Sequence, residues 1–493
     1  MSKLPIRHRF AASPERTAGL ALACFVSLAM SGCPQDSPDS SQFAGVDATG
    51  TAADGTLVDG DSAADGLGSI DTSQPGDAGT ADAGTGDAGT ADGGSPEDGA
   101  SDTTGDAGVD TTPTDTATPA DTAAVDSGPP PKPKAIRIAA GGDTSCAILD
   151  NGTVRCWGRG GEGQLGNGKS GGATKSSTPV LVSGVAGATD IACSAEHCCA
   201  VTGGTLACWG QNDFNQVSPN APTKPQPTPL VYPDLTGITA VAVASRSTCV
   251  LIDGGAVKCW GLGAAGQLGD GQGKISKDPV LVTDLDQTLQ IVGGTNHFCA
   301  RTVYAEVWCW GVNSEGQLGD GAGGTSKDST TAVRVTGLTN ATDLSSGAAH
   351  VCAITSGADA GLWCWGKNNS HQIGTGGGNT FTATAKKAFL GFAATDVCAG
   401  DGHTCAQAPD GDPWCWGANS NGQTGGGVPP YIRDTPAAVP EFAGIVEIVE
   451  VAAGSSHGCA RTVDGHVWCW GANGAGQTSG PGATSQFEPF EAL

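Results

Sequence analysis

The sequence is poor in basic residues, and this shortage excludes whole classes of function. It has 24 Lys and Arg against 50 Asp and Glu, a formal net charge of −26. A chain this acidic lacks the cationic surface that nucleic-acid binding requires. Its apolar run Ala18–Met30 is shorter than the ~20 residues of a transmembrane helix. No stretch repeats apolar residues at helical spacing, so an all-β protein is predicted.

Motifs for catalysis and metal binding are also missing. There is no Cys-x-x-Cys pair, no phosphate-cradling loop with its Lys and no sialidase-type Asp box. The acidic residues that interrupt the repeats described below are scattered over different units: Glu196, Asp213, Glu315 and Asp401. We therefore predict a non-catalytic protein with no cofactor and no metal. A carbohydrate-active hydrolase or lyase is the alternative.

Residues 34–133 consist almost entirely of Asp, Ala, Gly, Thr, Ser and Pro. The segment has 19 Asp and one Glu against the single Lys132, and its one aromatic residue is Phe43. Such a composition cannot bury enough apolar surface to offset the entropy of ordering. We predict a disordered linker over residues 33–133, with a reach of about 50–60 Å.

The N-terminus resembles a bacterial lipoprotein signal. Four basic residues precede or flank the start of the apolar run, which ends at Gly32-Cys33. In such signals the peptide is cut before the Cys, which is then acylated. The prediction is a signal peptide over residues 1–32 and a lipid-anchored Cys33, at the bacterial outer membrane or cell surface. An ordinary signal peptide with an incidental Cys is the alternative.

What the sequence does contain is a pair of Cys repeated seven times, with Trp-Gly after each second Cys. No repeat keeps one Cys and loses the other, and turn sequences such as Asp150-Asn151-Gly152 lie between them. Counting back from each turn places the two Cys opposite each other on a hairpin, within disulfide range. Cys193–Cys198 is a possible further bridge, which leaves Cys398 free. The seven predicted disulfides are Cys146–Cys156, Cys199–Cys208, Cys249–Cys259, Cys299–Cys309, Cys352–Cys364, Cys405–Cys415 and Cys459–Cys469.

Zinc is the competing interpretation of these Cys, because a His precedes five of the first Cys by two residues. Two repeats keep both Cys but have Thr144 and Ser247 at the His position. A fourth ligand is also missing. We therefore predict that the His are structural, with rings that bond a neighbouring turn.

Residues 134–493 repeat every 50 to 54 residues. Each unit has a strand ending in small residues, the Cys hairpin, a Gly-rich turn with a Gln, a variable loop and a last strand. Four short strands in each of seven units predict a seven-bladed β-propeller. The chain ends at Phe487-Glu488-Pro489-Phe490, which matches a last strand, and we predict that this segment completes the first blade.

The Gly-x-x-His, Trp-Gly and Gln-Leu-Gly-Asp-Gly sequences, the last at residues 267–271 and 317–321, resemble the regulator-of-chromosome-condensation repeat. The resemblance covers residues 134–493 and implies a seven-bladed propeller. It also implies guanine-nucleotide exchange as one activity of the family, which export from the cell disfavours. The Cys pairs depart from the cytosolic members and indicate an exported branch.

We predict a surface-anchored scaffold that binds a protein or an anionic surface ligand; its oligomeric state stays open. Eight of the eleven propeller Lys, together with Arg433, are predicted to lie in the variable loops, and equivalent loops of a propeller emerge on one face. Plain exposed loops are the alternative explanation for these cations. The predicted basic rim consists of Lys169, Lys175, Lys224, Lys274, Lys277, Lys327, Lys386, Lys387 and Arg433.

Overall fold

The computed structural model describes residues 132–232, 234–324, 327–427, 430–442, 447–480 and 484–493. The predicted signal peptide, Cys33 and nearly all of the predicted linker lie outside these residues. Across the described part of the chain, no helix has the length and apolar character needed to cross a membrane.

The structure is a ring of seven four-stranded antiparallel sheets, which confirms the predicted propeller. Each sheet, or blade, is built from four consecutive strands in chain order. The innermost strands are β1 Ala135–Gly141, β5 Ala188–Cys193, β9 Ile238–Val243, β13 Thr288–Gly293, β17 Ala341–Ser346, β21 Asp396–Ala399 and β25 Ile448–Ala453. The second strands are β2 Thr144–Leu149, β6 His197–Thr202, β10 Ser247–Ile252, β14 His297–Thr302, β18 His350–Thr355, β22 His403–Gln407 and β26 His457–Thr462.

Outside them lie the strands that carry Trp-Gly and the outermost strands. The third strands are β3 Val154–Arg159, β7 Thr205–Gly210, β11 Ala256–Gly261, β15 Val307–Gly311, β19 Gly361–Lys367, β23 Pro413–Ala418 and β27 Val467–Ala472. The outermost strands are β4 Lys175–Leu181, β8 Gln226–Val231, β12 Ser276–Leu281, β16 Ser329–Arg334, β20 Phe381–Lys387, β24 Ile432–Ala438 and β28 Ser485–Glu491. Two single-turn 3-10 helices, Gly357–Asp359 and Pro440–Phe442, complete the described elements.

The hairpin between the second and third strands forms in every blade. Gly152 occupies the left-handed backbone region in the first hairpin, with φ 74°. The fourth hairpin has no Gly at its tip, and there Ala305 takes this conformation at φ 58°. A non-Gly residue in this region is strained, and the turn is held by the N–H of Ala305, which donates to the carbonyl of Thr302 at 3.0 Å.

The hydrophobic core lies between the blades. A typical cluster contains Cys146, Cys156 and Leu165 of blade 1 together with Cys198 and Trp209 of blade 2. The apolar face of one sheet is thus covered by the next sheet. A single blade leaves this face exposed, and the ring supplies its partner.

The C-terminal strand does not complete the first blade, so that prediction is wrong. β28 pairs with β27 in the seventh blade, and the first blade has its own outermost strand, β4. The first blade is complete with β1, β2, β3 and β4, so it takes no strand from the seventh. The ring closes through contacts of β1 with β25, with the N–H of Ser455 donating to the carbonyl of Gly142 at 2.8 Å.

Candidate functional site

The repeated Cys join the second and third strands of each blade. Residues such as Cys146 and Cys156 are directly opposed in the strand register. All seven hairpin pairs form disulfides in the structure, as does Cys193–Cys198. Cys398 is the free cysteine of the described chain, and burial raises the pKa of its thiol well above the ordinary value. The disulfides hold hairpins within blades, with a contribution of up to ~2–3 kcal/mol each in the chain-entropy model.

The repeated Gln connects each blade to the next. Its side-chain oxygen accepts the backbone N–H two residues earlier in all seven turns, as at Gln317 from Glu315 at 2.7 Å. Its backbone carbonyl accepts the indole N–H of the following blade's Trp in six cases, as at Gln317 from Trp365 at 2.9 Å. Between the seventh and first blades, the hydroxyl of Ser145 donates to the carbonyl of Gln477 at 3.0 Å. The indole N–H of Trp157 has no hydrogen-bond partner within the described structure. The Gln is therefore a structural residue.

The His that precede the Cys pairs also link blades, and they bond a strand hydroxyl instead of a turn. His350 Nε2 lies 2.9 Å from Thr404 Oγ1, and that hydroxyl donates to the carbonyl of Gln372 at 2.7 Å. His197 and His457 make equivalent contacts to Thr248 and Ser145 in the next blade. Burial lowers the pKa of each of these His, to about 3 for His350 and about 4 for His197.

His403 is the exception, because the next blade has Gly458 where a hydroxyl is expected. Neither ring nitrogen of His403 has a hydrogen-bond partner in the described residues, although the ring is fully buried. A Cβ at Gly458 would lie 2.6 Å from the Trp470 ring, so a Ser cannot enter without movement of that Trp. The ring instead packs against Gly400, where a Cβ would meet it at 2.3 Å. This contact explains the Gly of Gly-x-x-His.

Carboxylates near the beginning of the innermost strands also bond the neighbouring blade. Asp396 accepts the N–H of Val397 at 2.9 Å and that of Val451 in the next blade at 2.8 Å. Burial raises the pKa of Asp396 to about 7. Asp190 accepts the N–H of Val241 in the same way and is paired with Arg137 at 2.9 Å. These carboxylates have a structural role, because they accept hydrogen bonds from buried backbone N–H groups.

The central channel contains two small cavities of about 260 and 220 Å³. Their walls are mostly Gly, Ala, Ser and Val of the innermost strands. Of the four acids that interrupt the repeat, Asp401 lines the larger cavity, where partial desolvation raises the pKa of its carboxyl. Glu196 is paired with Arg246 at 3.4 Å and lies near Asp213, while Glu315 lies in a Gln turn. The fold does not bring these four acids together as one acid and base pair.

The predicted basic rim is not one surface. Lys175 pairs with Arg159 at the beginning of its outermost strand, whereas Lys386 and Lys387 pair with Cys364 and Trp363 at the end of theirs. The two Lys therefore lie at the opposite end of the blade from Lys175. The prediction of a single rim is wrong because β20 extends through Lys386 and Lys387, which were predicted to lie in a loop. The other predicted cations lie in the loops or early in the outermost strands: Lys169, Lys224, Lys274, Lys277, Lys327 and Arg433.

Three of the four exposed aromatic side chains in the described residues lie on blades 5–7, and the fourth, Tyr304, lies at the hairpin tip of blade 4. Their exposure was not predicted from the sequence. Phe389, Tyr431 and Phe487 are 65%, 68% and 45% exposed. On blades 1–3 the exposed large residues of the outermost strands are aliphatic. They are Leu181, Val231 and Leu281, at 51%, 66% and 55% exposure. The available signal was compositional, because Phe and Tyr are unevenly distributed among the units.

A buried Asn was also missed, although Trp-Gly-x-Asn recurs in five units. Asn313 Oδ1 accepts the N–H of Leu318 at 3.1 Å, and its Nδ2 donates to the Ala322 carbonyl at 3.1 Å. The Asn thereby fixes the start of the variable loop. Blades 1 and 3 have Gly160 and Gly263 at this position, where a Cβ would lie within 3 Å of neighbouring atoms.

Two overlapping stretches, residues 94–385 and 203–492, match the family model described as the RCC1-like domain. The Ultraviolet-B receptor UVR8 of Arabidopsis thaliana is 29% identical over 357 residues, which cover 71% of this chain and 79% of the receptor. The human E3 ubiquitin-protein ligase HERC2 is 27% identical over 362 residues, 72% of this chain but only 6% of the ligase.

Two solved structures show the same fold. Prp20p of Saccharomyces cerevisiae has a TM-score of 0.59 at 21% identity, over 70% of this chain and 87% of that one. Human WBSCR16 has a TM-score of 0.61 at 19% identity, over 69% and 94%. The matched stretches include every blade described above. The chain therefore belongs to the RCC1-like domain family.

Proposed function

We propose that the chain is a non-catalytic scaffold that binds another protein through the outer strands of blades 5–7. The observation that carries this proposal is the exposure of Phe389, Tyr431 and Phe487 on consecutive blades. Large aromatic side chains are enriched in the energetically important parts of protein interfaces. Exposing three of them has a hydration cost that a bound partner removes.

The Gly-rich turns of blades 5 and 6 pack against two of these three positions. Gly376 of blade 5 donates its N–H to the carbonyl of Asp434 in blade 6 at 3.2 Å, and a Cβ there would lie 3.4 Å from Phe389. A Cβ at Gly422 of blade 6 would lie 2.5 Å from the Phe487 ring of blade 7. The turn of blade 5 thus lies beside Phe389, and the turn of blade 6 lies beside Phe487.

Two Lys lie near Phe389 at the end of β20 and indicate the chemistry of the partner. Lys386 and Lys387 lie three and two residues before Phe389 in the sequence. The Lys387 ammonium lies 6.0 Å from the centre of the Trp363 ring. An apolar area with adjacent cations fits a partner surface that has apolar and acidic residues. This restricts the proposed anionic contact to one end of blade 5.

Solved relatives support protein binding as the general role. Yeast Prp20p binds Gsp1p and histones, and it has been solved in complex with Kap60. We extend protein binding to this chain, but not those partners or their nucleotide chemistry. We further propose that acylated Cys33 and the acidic linker hold the propeller at a bacterial envelope membrane, where its partner is met.

The test compares two triple variants of the full chain. Replacing Phe389, Tyr431 and Phe487 by Ala is expected to weaken capture of the partner from envelope extracts at least tenfold, since interface aromatic residues often contribute 2 kcal/mol or more. The matched control replaces Leu181, Val231 and Leu281 by Ala and is expected to retain capture. Equal capture by both variants, or turnover of a glycan panel by the native chain, would contradict the proposal.

A further inference from the structure

Two disulfides from different blades are in direct contact. The Sγ atoms of Cys193 and Cys146 are 3.5 Å apart, although Cys193 is bonded to Cys198 and Cys146 to Cys156. The ligand atoms of Cys146, Cys193 and Cys198 all lie within 4.8 Å of one another. A sulfur of one disulfide thus touches a sulfur of another across the boundary between blades 1 and 2.

The strand register explains how four sulfurs meet at this boundary. Cys193 ends β5 directly opposite Cys198 on β6. Cys198 packs in the cluster that contains Cys146 and Cys156, on the face of blade 2 toward blade 1. The next residue, Cys199, points to the opposite face and packs in the cluster toward blade 3. Blade 2 therefore has a disulfide on each face, and one of them contacts blade 1.

Cys193 is the member of this cluster that a small molecule can reach. It is partly exposed and lines both cavities of the central channel. Cys146, Cys156 and Cys198 are fully buried. Thiol–disulfide exchange requires access to one sulfur and a second sulfur within reach of it.

We propose that these four Cys form a thiol–disulfide exchange site whose co-reactant is a low-molecular-weight thiol entering through the channel. One external thiolate attacks Cys193 and releases Cys198, and a second removes the external group as a disulfide. The Cys193 thiolate then attacks Cys146, which breaks the bond to Cys156. Two external thiols become one disulfide, their protons pass to Cys156 and Cys198, and a Cys146–Cys193 bond joins blades 1 and 2.

A single variant tests the geometry without any added reductant. In Cys156→Ser the thiol of Cys146 is free, and it is expected to attack Cys193 and release Cys198. Acid quenching, alkylation under denaturing conditions and peptide mapping should show loss of the Cys193–Cys198 bond, a new Cys146–Cys193 bond and a labelled Cys198. Labelling of Cys146 with the Cys193–Cys198 bond intact would overturn the proposal.

Cys208→Ser is the matched control, because it frees Cys199 on the other face of the same blade. Here the expected label is on Cys199, and Cys193–Cys198 is expected to persist. If Cys156→Ser does not fold, the native full chain decides the question. It is titrated with reduced glutathione while near-ultraviolet circular dichroism monitors the fold, and a Cys146–Cys193 peptide is expected while the other hairpin disulfides remain. Loss of hairpin disulfides without that peptide would refute the exchange.

Discussion

Replacing Trp365 by Ala is expected to lower the free energy of unfolding by about 3–5 kcal/mol, the usual cost for a fully buried Trp. The indole packs in the cluster between blades 4 and 5 and donates its N–H to the carbonyl of Gln317 at 2.9 Å. The substitution therefore removes both the largest apolar contact of one blade boundary and its polar link. Guanidinium denaturation of the oxidised chain, followed by circular dichroism, measures the change.

Two companion variants separate the contributions. Trp365→Phe keeps a ring but loses the N–H, and it leaves the Gln317 carbonyl without this donor, so a smaller loss of about 1–3 kcal/mol is expected. Trp363→Ala removes a partly exposed Trp of the same strand and should cost less than Trp365→Ala. An equal loss for the Trp363 and Trp365 variants would contradict the assignment of the Trp-Gly residue to blade packing.

Acidification is expected to destabilise the propeller through its buried His. The pKa of His350 falls from 6.5 to about 3 on folding because the ring is desolvated. A depressed pKa contributes stability that is present above pH 6.5 and is lost as the pH falls toward 3. Between pH 7 and pH 4 this one residue should account for a loss of about 3 kcal/mol. His297 and His403, each with a pKa lowered to about 4, act in the same direction.

His350→Ser isolates this effect, because blade 3 naturally has Ser247 at the same position. The stability advantage of the native chain over this variant is expected to shrink by about 3 kcal/mol between pH 7 and pH 4. Asp396 acts in the opposite sense, since its raised pKa of about 7 favours the folded state as the pH falls toward 3.8. That contribution is common to both chains and cancels in the difference. Parallel stability curves for the two chains would show that His350 does not titrate as described.

The repeated residues were the most predictable part of the molecule. Blade number, hairpin register and the Cys pairs follow from local sequence, because a hairpin places opposed residues at a fixed distance from its turn. The structural role of His350 was also predictable, since Thr144 and Ser247 replace that His in other units. Its partner, Thr404, was not predictable because it belongs to the next unit and depends on how blades pack.

The wrong predictions concern features that depend on neighbouring strands. The sequence of the last strand fits any blade, and its pairing with β27 assigns β28 to the seventh. Lys386 and Lys387 were misplaced because residues 381–387 form a strand that lacks the Pro-Val-Leu sequence of β4. The exposure of Phe389 and Tyr431 could not be predicted either, since composition does not reveal which aromatic side chains a neighbouring blade covers.

The central claim is that the repeated residues hold an oxidised propeller together and leave its outer surface for binding. Non-reducing peptide mapping of the mature protein from its native source tests this claim most directly. The expected result is the seven hairpin disulfides, an eighth disulfide between Cys193 and Cys198, and a free thiol at Cys398. Free thiols at Cys249, Cys259 and the other repeated positions of the native, folded protein would contradict it.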